Sequence, residues 1–89
     1  MDFNEMIIAL SKNGYITSYY LDKEFFGNFC VIAKKRKVKY VITNDRYECV
    51  IIKIKFMHKQ TISKKIYDCS TIESMYFDIV NILETEQIY

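Results

Sequence analysis

The chain has 89 residues, enough for one hydrophobic core and too few for two, because each of two cores would be too small to offset chain entropy. Hydrophobic residues make up 51% and aromatics 16%, which excludes a disordered chain and lets it fold without a bound cofactor. The formal net charge is only +2, yet residues 34 to 65 hold eleven Lys or Arg against Asp45 and Glu48, and the segment from Asp68 onward holds five acids with no Lys or Arg.

The opening MDFNEMIIALSKNG carries acids in place of a basic leader, and its apolar run stops at Leu10, short of a signal or membrane segment. A cytoplasmic protein with no membrane partner is expected. Phe3, Met6, Ile7 and Leu10 recur at helical steps after a cap at Asp2 or Asn4, and Gly14 supplies a left-handed stop. From Tyr15 the period becomes two, giving a first strand that ends near Leu21. Asp22, Lys23 and Glu24 read as a loop, with Gly27 or Asn28 opening a second strand over Phe29 to about Lys34.

A third strand, Val38 to Thr43, follows the cationic turn KKRK, and Asn44-Asp45 reads as the next hairpin turn, since both residues tolerate positive φ. Strand four then covers Tyr47 to Phe56, and QTISKKIY is a weaker fifth strand. Ser70-Thr71-Ile72-Glu73 matches a capping box, and Ile72, Met75, Tyr76, Ile79, Ile82 and Leu83 form one apolar stripe of a final helix. Two helices flanking a meander segregate onto one sheet face. The expected fold is a two-layer α+β domain spanning residues 1–89, with the order α-β-β-β-β-(β)-α and an antiparallel sheet of four to five strands.

Strand three is expected to bury Val38, Tyr40 and Ile42 and to turn Lys37, Lys39, Val41 and Thr43 outward. On strand four the uniformly apolar register is Val50, Ile52, Ile54 and Phe56, which assigns those residues to the helices. Tyr47, Cys49, Ile51, Lys53 and Lys55 are left on the open face.

Catalysis finds little support in these residues. The lone histidine, His58, falls in an expected loop, the acids lie on expected helix surfaces and turns, and Gly14 and Gly27 are both boundary glycines, not a phosphate loop. Cys30, Cys49 and Cys69 stand about twenty residues apart without a C-x-x-C pair, a spacing that fits reduced thiols packed as small hydrophobes better than a disulfide framework or a zinc site. No metal or cofactor is expected.

The open face admits several uses. Clustered lysines suit a phosphate backbone, but sheet-based RNA readers stack bases on aromatics, and only Tyr47 is available there. The same lysines can simply keep an exposed sheet from associating. A protein partner fits a mixed surface best, with an apolar centre, a polar rim and charge that steers an acidic partner. The candidate partner-binding residues are Arg36, Lys37, Lys39, Val41, Arg46, Tyr47, Ile51, Lys53 and Lys55, the arginines adding bidentate contacts that lysine cannot make. A homodimer through the open face is a third possibility. Tyr15, Tyr19 and Tyr20 read as core first, with one set partly available.

Asn13-Gly14-Tyr15 closing a short helix, Phe26-Gly27-Asn28 opening a strand, Asp45-Arg46 ending one, and Tyr67-Asp68-x-Ser70-Thr71-Ile72 opening the last helix together resemble small bacterial immunity-like proteins of polymorphic toxin systems. The resemblance covers most of the chain. It implies a non-catalytic cytosolic protein that neutralises a cognate toxin. Antidotes to nuclease toxins are often acidic and this sheet is basic, so either the toxin is not a nuclease or the acidic last helix faces it. Phage-borne inhibitors of bacterial defence share the same small, single-domain character, and the two origins stay open.

Overall fold

The first helix begins at an acceptor that the sequence places ahead of an apolar stripe. The computed structural model describes residues 1–22 and 28–86. The first helix, α1, spans Phe3–Lys12, and the Asp2 carboxylate accepts from the Glu5 amide at 2.8 Å, satisfying a donor that the first helical turn leaves open. Gly14, at φ 88°, lets the chain reverse so that the Tyr15 amide donates to the Leu10 carbonyl at 3.1 Å.

Five strands follow: β1 Ile16–Leu21, β2 Phe29–Lys35, β3 Val38–Asp45, β4 Glu48–Lys55 and β5 His58–Ile66. They pair antiparallel in chain order as one open sheet. The second helix, α2, is Ile72–Thr85. The architecture is the expected α+β arrangement. The fifth strand, the weakest in the sequence, is nine residues long and begins at His58, which is therefore not in a loop. Lys23, Glu24, Phe26 and Gly27, invoked above for a loop and a strand start, lie outside the described residues.

The capping box does not form. Thr71 is the residue that caps α2, without a side-chain bond to the helix. The Asp68 carboxylate instead accepts from the Ser70 hydroxyl at 2.6 Å, the Ser70 amide at 2.8 Å and the Thr71 amide at 3.0 Å. The Ser70 hydroxyl is thus engaged as a donor to a carboxylate, a charge-assisted bond that draws it away from the helix end. The bonds from Ser70, and then from Thr71, hold the Asp68 carboxyl below the usual carboxylate range.

The bend expected at Asn44-Asp45 also moves. The β3 strand continues through both residues, Asp45 pairs with Glu48, and the turn is Arg46-Tyr47, with Arg46 at φ 59°. Asn28 Oδ1 accepts from the Arg46 amide at 2.6 Å, and Asn44 Nδ2 donates to the Arg46 carbonyl at 3.2 Å, so a side chain just ahead of β2 and one on β3 fix the turn two residues later than expected.

Turn length sets which side of β4 is buried. A two-residue turn pairs odd-numbered β3 residues with even-numbered β4 residues, as in Val41 with Ile52. Because β3 buries Val38, Tyr40 and Ile42 as expected, β4 must bury its odd side: Ile51 is 1% exposed and Cys49 is 4% exposed. The expected orientation of β4 is thus reversed. Ile51, Lys53 and Lys55 belong to the helix-covered side, Val50, Ile52 and Ile54 lie on the open one, and Phe56 sits in the next turn, 68% exposed.

Met6 and Leu10 of α1 and Met75, Ile79, Val80 and Leu83 of α2 close over Val31, Ala33, Val38, Tyr40, Ile42 and Ile51. Each large aliphatic side chain buried in this way contributes roughly 1.5–3 kcal/mol. Three phenols tie α2 to the layer beneath it. Tyr15 donates to the Leu83 carbonyl at 2.7 Å, Tyr40 to Glu86 at 2.8 Å and Tyr67 to Asp78 at 2.7 Å.

Candidate docking surface

Cross-strand pairing builds the open face row by row. The central row is Ser18, Ile32, Val41, Ile52 and Thr61, so three β-branched aliphatics meet in register across β2, β3 and β4. On one side lies Ile16, Lys34, Lys39, Ile54 and Lys59, and on the other Tyr20, Cys30, Thr43, Val50 and Lys64. Side chains alternate across a pleated strand, and both helices use the opposite side, which leaves the aliphatic centre half-buried only by its neighbours.

Of the nine residues read from the sequence as a docking set, the structure brings only Lys39 and Val41 onto this face. Arg36 and Lys37 form the β2–β3 turn at its lysine end. Arg46 and Tyr47 form a turn at the far end, where the Tyr47 hydroxyl lies 3.6 Å from Cys69 Sγ, so the one expected stacking aromatic is separated from the lysine row. Ile51 is core. Lys53 reaches past the Tyr40 ring, 6.0 Å from its centroid, to Glu86 at 3.0 Å. Lys55 lies near Phe56, with Nζ 5.8 Å from the ring centroid. Missing from the sequence-based set are Ile32, Lys34, Val50, Ile52, Ile54 and Lys59. The two-residue turn length was the signal that would have located those on β4.

The two broad sides of the molecule differ in charge. Behind the sheet, cations of the strands are engaged: Lys53 with Glu86, Lys65 with Asp78 at 3.3 Å, and Lys35 with the Asn13 carbonyl at 2.8 Å. On the open face Lys34 and Lys39 stand directly opposite each other, a like-charge pairing that costs stability, and neither they nor Lys59 has an ion pair among the described residues. Lys64 lies 3.8 Å from Glu48. The outer helix surfaces expose Asp2, Glu5, Glu73 and Glu84 against Lys12.

Among the described residues no group of three or more His, Cys, Asp or Glu comes together, and His58 is exposed at the start of β5. Cys49 has its thiol pushed up to about 12 by burial and then by the Asp78 charge, so it is protonated and unreactive at neutral pH. Cys30, Cys49 and Cys69 are all free thiols. No helix among the described residues is long and apolar enough to cross a membrane.

Comparison of the chain with protein-family models, with curated proteins and with solved structures finds no match.

Proposed function

We propose that this chain is a non-catalytic binding protein that occludes a protein partner through the open sheet face. The observation that carries the reading is the row of Ile32, Val41 and Ile52 set beside Lys34, Lys39 and Lys59. An apolar centre with a one-signed rim suits a partner with an apolar patch bordered by acids, and the lysines speed the encounter. Neutralising a toxin in the cytoplasm, as the resemblance implies, is the most specific form of the proposal. Inhibition of a bacterial defence protein is an equivalent use of the same surface.

The lysine row is also what favours a nucleic acid. The centre of the face argues against that ligand, because it is aliphatic and offers bases nothing to stack on, Tyr20 being confined to the edge strand. Affinity capture from the native cell, run in parallel with the chain and its Ile52→Lys variant, tests the proposal. A protein retained by the first and lost by the second is expected. Binding of generic RNA or DNA, with log affinity falling by several units per log unit of salt, would overturn it.

A further inference from the structure

The two edges of the sheet are built differently. The edge strand β5 carries His58, Lys59, Lys64 and Lys65, and a bulge interrupts its register opposite Ile51 and Ile52. Charges and bulges of this kind stop strangers from adding to an edge. The other edge strand, β1, reads Ile16-Thr17-Ser18-Tyr19-Tyr20-Leu21, with no charge, no proline and an unbroken register against β2. Its large side chains are open to solvent, Ile16 at 78%, Tyr20 at 68% and Tyr19 at 55%. Aromatic and β-branched residues on a regular, uncharged edge are what strand pairing requires.

Among the described residues, the backbone groups that this edge turns away from β2 follow from its pairing. The Asp22 amide donates to the Asn28 carbonyl at 2.9 Å, so Asp22 points its main chain at β2. N–H and C=O alternate sides together along an antiparallel strand, which turns those of Thr17, Tyr19 and Leu21 outward. We propose that this edge pairs with β1 of a second copy, antiparallel and centred on Tyr19, to form one ten-stranded sheet. Tyr19 then lies opposite the second copy's Tyr19 and Thr17 opposite its Leu21, a register that engages all the outward groups of both strands.

A second copy is the occupant that fits. Two uncharged strands meet without repulsion, and a two-fold axis through Tyr19 closes the assembly with the lysine-bearing β5 strands outermost. Joining β1 to β5 of the next molecule would instead propagate an open filament across a bulged, cationic edge. The axis runs perpendicular to the sheet, so both open faces stay on the same side and accessible. The contact is small and belongs to the weak, reversible class, below about 1,200 Å².

Sedimentation velocity over a concentration series, with amide exchange followed residue by residue, tests the proposal. The expected result is a concentration-dependent shift from monomer to dimer, with exchange at Thr17, Tyr19 and Leu21 slowing by about tenfold or more as dimer forms. Both Ser18→Lys and Thr17→Pro should abolish the shift, and the proline removes only an amide that β2 does not use. The Ile52→Lys variant should dimerise normally while losing the partner of the open face, and Thr17→Pro, at a position that pairs with buried Ala33 on the helix side, should keep that partner, so the two proposals fail separately. A monomer up to about 1 mM overturns the pairing. So does a dimer dissolved by Ile52→Lys but not by Thr17→Pro, or protection of the three amides that appears only with a foreign protein.

Discussion

Ile51 and Ile52 are neighbours in the chain and lie on opposite sides of the sheet. Ile51 is 1% exposed beneath the helices, whereas Ile52 pairs with Val41 and Thr61 on the uncovered face. Ile51→Ala is therefore expected to cost about 2–5 kcal/mol, a cavity in a closed core, and Ile52→Ala only about 1 kcal/mol or less. Urea unfolding of the two variants measures the difference, and equal costs would contradict the register.

Much of the fold was legible because local signals and burial agreed. Phe3, Met6 and Leu10 mark the inner stripe of α1, Met75, Ile79 and Leu83 that of α2, and Val38, Tyr40 and Ile42 the inner side of β3. The β4 strand offered no such agreement. Both of its sides are apolar near the middle, and Lys53 and Lys55 made the odd side resemble a solvent face. A lysine can occupy a covered register when its stem lies along apolar surface and its amine finds an exit. For Lys53 that exit is Glu86, 33 positions away in the chain, and no local pattern announces a partner so distant. The β4 part of the docking surface was misread for this reason and because the turn before it was placed two residues early.

Phe56 and Met57 form the β4–β5 turn with φ values of 52° and 68°, a left-handed pair that bulky residues adopt at a cost of about 1–2 kcal/mol each. They are 68% and 95% exposed, so little packing offsets the strain. Replacing them with Asn-Gly should raise stability by about 1–2 kcal/mol, read as a higher urea midpoint at unchanged slope. A lower midpoint would show that the side chains hold the hairpin in some other way.

The Tyr40 and Tyr67 phenols titrate above the ordinary tyrosine range, first through burial and then through their hydrogen bonds to Glu86 and Asp78. A pKa raised by folding gives stability that is complete below the unfolded value, about 10, and lost as pH rises through the folded one. The urea midpoint should therefore fall above about pH 10. The Tyr40→Phe/Tyr67→Phe pair should flatten that fall, while lowering the neutral plateau by about 1 kcal/mol per bond removed. An equally steep fall in the double variant would move the alkaline loss to the other phenols that burial raises, Tyr15 and Tyr76.

The thiols should separate under mild alkylation near neutral pH. Cys69 is exposed and Cys49 is buried with its thiol held protonated. Mass spectrometry should find Cys69 labelled first and Cys49 labelled only when the chain unfolds. Early labelling of Cys49 would mean that β4 opens from the helices in the native state.

The lysines of the sheet and the carboxylates of the helix backs give this protein a built-in electrical polarity through its thin dimension. Approaching a negative surface, it is turned sheet-first by torque before any side chain touches, which shortens the rotational search. Because that torque weakens as mobile ions accumulate, the rate of capture should depend on salt more steeply than the lifetime of the complex once formed.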